Sequence, residues 1–174
     1  MNKDRHRMAV AAHLLLRNAN GEILFLRRAN TGYADGQWSV PAGHVEQNET
    51  LVAACVRETA EEIAVAVAQQ DLECVLVQHK HDLDGEERID VFFRCDLSDG
   101  QRARIAEPDC CDGLKWANPL TPPQPTVQYV GAALAAINAA PADLLSYFGF
   151  ENAADESDQT LPTEGTFTCE EAGG

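Results

Sequence analysis

Apolar residues first recur in "MAVAAHLLLR" (Met8 to Arg17) and return in "EILFLRR" after the polar "NANG". Two strands joined by a turn at Asn18 to Gly21 follow, because asparagine and glycine accept the backbone a tight turn needs. A polar stretch, "ANTGYADGQ", leads into "WSVPAG", where Pro41 and Gly43 exclude helix and leave a short extended piece. A helix then starts near Asn48 to Thr50, any of which can cap it. Two more strands follow. "LECVLVQHKH" is apolar at Leu72, Cys74 or Val75, and Val77, while "RIDVFFRCD" alternates with Ile89, Val91, Phe93 and Cys95 on one face. "HDLDGEE" between them reads as a hairpin loop. A second amphipathic helix is expected in "TVQYVGAALAAINAA", behind the proline-rich "PLTPPQPT". The order strands, helix, strands, helix predicts an α+β fold, with an α/β/α sandwich on a mixed sheet as its layered form.

The first helix carries an unusual charge pattern. At about 100° per residue from Val52, the residues Cys55, Val56, Thr59 and Ile63 fall within roughly 60° and form a core stripe. Glu58, Glu61 and Glu62 fall at about 240°, 180° and 280°, away from that stripe and within one turn of each other. Like charges so placed oppose the helix, and near its C-terminal half the macrodipole opposes them too. A solvated acidic face is the plain explanation. A hard divalent cation is the functional one, since Mg²⁺ takes oxygen ligands from a few carboxylates plus substrate phosphates. Arg57, four residues before Glu61, offsets part of the repulsion.

Composition changes this picture in three places. A chain of 174 residues with 45% hydrophobic residues suits one domain with a real core. Its net charge of −15 argues against loose binding to nucleic acid or an anionic membrane, and repels a phosphorylated ligand unless local cations reverse the field. The last segment, residues 151–174, holds seven acidic residues and no basic one, and reads as a disordered acidic tail after a 1–150 domain. The six cysteines include no C-x-x-C pair, and Cys55, Cys74 and Cys95 sit in apolar patterns as expected buried thiols. The N-terminal "MNKDRHRMAV" lacks an adequate apolar leader, so a reducing cytoplasm is the expected location.

The segment from Gly43 to Val65 fits the pattern G-x5-E-x7-R-E-U-x-E-E-x-G-U, where U is a bulky apolar residue. Gly43, Glu49, Arg57, Glu58, Glu61, Glu62 and Val65 are in register, and Thr59 and Ala64 depart from it. This box resembles the signature of the Nudix hydrolase family, and "LFLRRA" and "WSVPAGHVE" resemble the strand and loop that precede it. The resemblance implies a Nudix-type α/β/α sandwich and Mg²⁺- or Mn²⁺-dependent hydrolysis of a nucleoside diphosphate linked to another group. Carried over by position, Glu58, Glu61 and Glu62 are metal-binding carboxylates, with Glu58 or Glu61 also a candidate base. The Gly43 carbonyl is a further metal ligand, Glu46 assists from behind, Arg57 orients a carboxylate, and Glu49 braces the loop-to-helix junction.

Outside the box the assignments stay open. Arg28 is a candidate phosphate clamp or a surface arginine, and His44, which follows the loop glycine, and Glu46 are the further substrate-binding candidates. Glu107 is the candidate downstream metal ligand, with Asp112 behind it; Glu86 and Glu87 are expected to face solvent. Tyr33 and Trp38 are candidates to stack on a base, Trp38 equally a core anchor. The expected partner is a small nucleotide, a triphosphate or a relative, with no nucleic acid and no membrane; a homodimer is left open. A nucleotide-sugar or dinucleotide hydrolase and a non-catalytic ligand-sensing module are the alternatives. ADP-ribose ranks lower because "CVLVQHKHDLDG" lacks the proline that family members cutting it often carry there.

Overall fold

The computed structural model describes residues 5–81, 85–140 and 142–150, so the acidic segment 151–174 lies outside the described residues. Among the described residues eight strands form one mixed sheet: β1 (Ala9–Arg17), β2 (Ile23–Arg28), β3 (Trp38–Ser39), β4 (Ala42–His44), β5 (Glu73–His81), β6 (Glu87–Asp96), β7 (Cys111–Ala117) and β8 (Leu145–Phe148). Helices α1 (Leu51–Ile63) and α2 (Gln128–Ala139) cover its two faces. The strand order is β3-β2-β1-β6-β5-β8, with β4 also on β1 and β7 also on β2. This is the expected α/β/α sandwich.

Alternation in β1 and β6 produces two cores. Ala12, Leu14, Leu16, Val91, Phe93 and Cys95 pack under α1 through Ala54, Cys55 and Ile63. Leu15, Phe92, Phe25 and Leu76 pack under α2 through Val130, Ala133 and Leu134. Each apolar side chain of Leu or Phe size removed from water contributes about 1.5–3 kcal/mol before chain entropy is subtracted. The β1–β2 turn forms at the predicted residues: Asn18 Oδ1 accepts from the amides of Asn20 (2.9 Å) and Glu22 (3.0 Å), and Gly21 takes φ +79°.

Several expectations change. Cys74 is exposed, because a register shift between Cys74 and Leu76 breaks the alternation that would have buried it. β7 and β8 were not anticipated; the first alternates poorly and the second is short and half in solvent. The core stripe of α1 is rotated. Ala54, Cys55, Thr59 and Ile63 are buried while Val52 and Val56 are only partly so, which carries Glu58 and Glu62 to the edge facing β4. Only Glu61, at 48% side-chain exposure, stays well out in solvent.

The two departures from the box have separate outcomes. Thr59 Oγ1 donates to the Cys55 carbonyl at 2.6 Å, as a buried hydroxyl in a helix should. Ala64 ends α1 at φ 53°, ψ 36°, a left-handed cap where a side chain costs about 1 kcal/mol. Trp38 packs partly buried against the second core and pairs with the loop at Thr126, so it anchors structure. Among the described residues no helix is long and apolar enough to cross a membrane.

Candidate active site

Strand β4 joins two regions of opposite character. Its register on β1 sets Ala11 against His44, Ala12 against Gly43 and His13 against Ala42. Gly43 is turned toward α1, and a Cβ there would stand 1.9 Å from Glu58 Cδ, so only glycine lets that carboxylate approach the loop. The Ala42 amide donates to Glu62 Oε2 at 2.9 Å. One short strand thus holds two of the three helix carboxylates.

Arg57 organises the rest of the acidic edge. Its Nε and Nη2 donate to the two oxygens of Glu49 at 2.9 and 3.0 Å, a bidentate pair that holds Glu49 down at a pKa of about 2. Glu49 also accepts the Glu46 amide at 3.0 Å, and Arg57 Nη2 reaches the His44 carbonyl at 3.0 Å, so the junction is braced as expected. Glu46 enters this network through its amide. Arg57 Nη1 lies 2.6 Å from Glu58 Oε1 and 3.0 Å from Glu61 Oε2. Its charge therefore stands between those two carboxylates.

Glu62 differs from its neighbours. Loss of water raises its pKa to about 8; the Ala42 amide works against that rise, and the charges of Glu58 and Glu107 add to it. Glu107 reaches this point because the loop after β6 is tied to the end of α1. The amide of Arg104 donates to the Ile63 carbonyl at 3.0 Å and that of Ala106 to the Glu62 carbonyl at 2.9 Å. Those bonds also satisfy carbonyls that the helix leaves unpaired at its end. Glu62, Glu107, Arg28 and Thr31 line one cavity of about 200 Å³. Asp112 is not part of it: both its oxygens bind Arg27, at 2.6 and 3.0 Å.

On the other side of β4 lies a larger cleft of about 440 Å³, lined by Arg28, Tyr33, His44, Lys80, Arg88 and Tyr129 among others. Arg28 is fixed by the Tyr33 carbonyl at 2.9 Å and Thr31 Oγ1 at 3.1 Å, and its guanidinium lies 5.5 Å from the Tyr33 ring centroid. Three cations, Arg28, Lys80 and Arg88, stand on this cleft of an otherwise acidic chain, with Arg88 paired to Asp90. Glu86 and Glu87 stand at its rim, Glu87 with His6 and His79. The floor is polar and buried. Asp90 binds Arg88 at 2.6 and 3.1 Å and lies 3.1 Å from His13 Nε2.

The sequence reading missed this floor. Its signal was present: His13 interrupts an apolar strand, and Gln78 and Lys80 follow Leu76 at the period of two that marks one face. Polar residues at core parity point to a cleft beneath a helix layer.

The donor types fit a hard cation: carboxylate oxygens, one of them desolvated, and a glycine cradle against a second. Among the described residues, however, no three His, Cys, Asp or Glu side chains converge closely enough to hold an ion. Glu58 and Glu61 are turned onto Arg57 instead.

The family model for the NUDIX domain matches residues 6–129. The chain belongs to the Nudix family. It is 32% identical over 94 residues to Nudix hydrolase 5 of Arabidopsis thaliana, a match covering 53% of this chain and 30% of that protein. The chain therefore spans under a third of that relative's length. A MutT Nudix hydrolase from Burkholderia pseudomallei superposes with a TM-score of 0.66 at 24% identity, over 75% of this chain and 98% of the other. An Ap4A hydrolase binary complex from C. elegans superposes at 0.58 with 20% identity, over 76% and 96%. At these identities the structural likeness establishes the fold.

Proposed function

We propose that this protein is a pyrophosphohydrolase dependent on Mg²⁺ or Mn²⁺, acting on a nucleoside triphosphate or a related nucleoside diphosphate derivative. One observation carries the reading: on either side of β4, an acidic helix edge meets a cleft with Arg28, Lys80 and Arg88 on its lining. A diphosphate bridge needs both, cations against its oxygens and a held cation at the reacting phosphorus. Glu58, Glu61, Glu62 and the Gly43 carbonyl would hold the ion, with Glu107 approaching from the loop. When bound, the ion screens the phosphate charge and lowers the pKa of a water. Glu58 and Glu61 are the candidate bases toward that water. Arg57 keeps their charges in place, Arg28 clamps a phosphate, His44 borders the bound chain, and Glu46 stiffens the loop behind Gly43.

Water attack on a bridging phosphorus gives a monophosphate and, from a triphosphate, pyrophosphate. The Ap4A hydrolase neighbour supports keeping dinucleotides in the substrate panel. The unit proposed to act is residues 1–150, with 151–174 an appended acidic segment. The test is product release from nucleoside triphosphates, nucleotide sugars and dinucleotides with and without Mg²⁺. Metal-dependent release of a monophosphate is the expected result. Tight nucleotide binding with no turnover under any metal would make the protein a sensor instead.

A further inference from the structure

His13 sits in the floor of the large cleft, and its Nδ1 has no hydrogen-bond partner among the described residues. Its side chain is 1% exposed; Nε2 stands 3.1 Å from Asp90 Oδ1, while Nδ1 faces no donor among the described residues. Such groups are rare, because a buried polar atom left unpaired has lost its water without gaining a partner. The ring is fixed by packing: it stacks on Phe92 at 4.5 Å and 17°, and meets Tyr129 edge-on at 5.7 Å.

The surroundings assign the ring's proton. Nε2 lies 3.1 Å from Asp90 Oδ1, and an ionised carboxylate only accepts, so the proton sits on Nε2. Asp90 is fully buried and held by both nitrogens of Arg88, so it stays a carboxylate. Burial keeps the imidazole neutral against the pull of Asp90. Nδ1 is then a bare acceptor, in a residue paired across from Ala42, the residue whose amide binds Glu62. A fully ionised phosphate cannot satisfy it, since phosphate oxygens also accept. A hydroxyl or an amino group can.

We propose that His13 is a specificity-determining residue: its Nδ1 accepts a hydrogen bond from a hydroxyl or amino group of the substrate's nucleoside, with Asp90 and Arg88 positioning the ring. This rests on the nucleotide reading above and deepens it, because it makes the cleft select nucleosides over bare polyphosphate.

The test is calorimetric binding of ribonucleoside monophosphates and of inorganic pyrophosphate, both without metal, to the full chain. In His13→Phe, the best-bound monophosphate should weaken about tenfold, the equivalent of one hydrogen bond, with pyrophosphate unchanged. His13→Asn, whose amide oxygen falls near the place of Nδ1, should restore most of the loss. Equal weakening of both ligands, or of neither, overturns the proposal. Should His13→Phe fail to fold, imidazole ¹⁵N shifts in the native protein decide. Nδ1 should move on adding the monophosphate and stay put with pyrophosphate; an unmoved Nδ1 overturns it. Turnover by the native protein is a separate measurement, so a sensor with no hydrolysis still passes or fails this binding test.

Discussion

The two sides of β4 handle buried charge in opposite ways. Under α2, the cleft floor nearly balances itself: Asp90 is bound by Arg88 and faces a neutral His13. Along α1, Glu49, Glu58 and Glu61 share the guanidinium of Arg57, and among the described residues Glu62 has the Ala42 amide alone for direct support. The floor is a paired network that leaves His13 Nδ1 and Gln78 Oε1 without hydrogen bonds among the described residues. The acidic edge is short of positive charge, which a stable fold does not require and a metal site does. The contrast is what the two proposals rest on, a cation on one side and a nucleoside on the other.

The largest effect is expected where the acidic edge is cut. Glu61→Gln should lower metal-dependent turnover roughly 10²- to 10⁴-fold while the melting temperature is kept, since Glu61 is the exposed member and supports little packing. Unchanged turnover removes Glu61 from the chemistry. Gly43→Ala comes next. The new methyl drives Glu58 from the loop, and a displaced catalytic group costs on the order of 10²-fold in turnover. Because the clash is with the far end of a side chain, the fold should survive, which circular dichroism checks.

A pH titration sharpens the comparison without mutation. Glu62 has a folded pKa of about 8 against an ordinary value of 4.5, so the folded protein holds a proton that the unfolded chain releases. The stability this contributes is full below about pH 4.5 and is lost as pH rises through about 8, a few kcal/mol across the window. Metal-free melting curves should decline over that range, Glu62→Gln should flatten the decline, and Mg²⁺ should offset it by taking the proton's place. A decline that survives in Glu62→Gln assigns it to another group. The smallest effect lies at the end of the same helix. Ala64→Gly should raise stability by about 1 kcal/mol in denaturant unfolding, because glycine accepts φ 53° without strain.

Much of this comparison was legible before folding, though unevenly. Clean alternation from Ile89 to Cys95 and the turn at Asn18 to Gly21 declared their elements because each is a local pattern. The box glutamates declared themselves by spacing, and Thr50 capped the helix as expected, accepting from the Ala53 amide at 3.1 Å. β7 was hidden because its seven residues alternate poorly and its hydrogen-bond partner is β2, far away in sequence. Cys74 was misplaced because a bulge leaves no mark in the order of apolar residues. The rotation of α1 was invisible too: a wheel gives relative angles, and the sheet chooses which one faces inward.

The sequence by itself determined the long strands β1, β2, β5 and β6, the two helices, and that three carboxylates share one turn of α1, since these follow from residue spacing along a single segment. Only the tertiary structure decided that Glu58 and Glu62 turn toward β4, that Glu107 is delivered to them by a tied loop, and that His13 lies across from Ala42. Those relations join residues far apart in the chain, and strand register and helix rotation, fixed by packing of the whole core, set them.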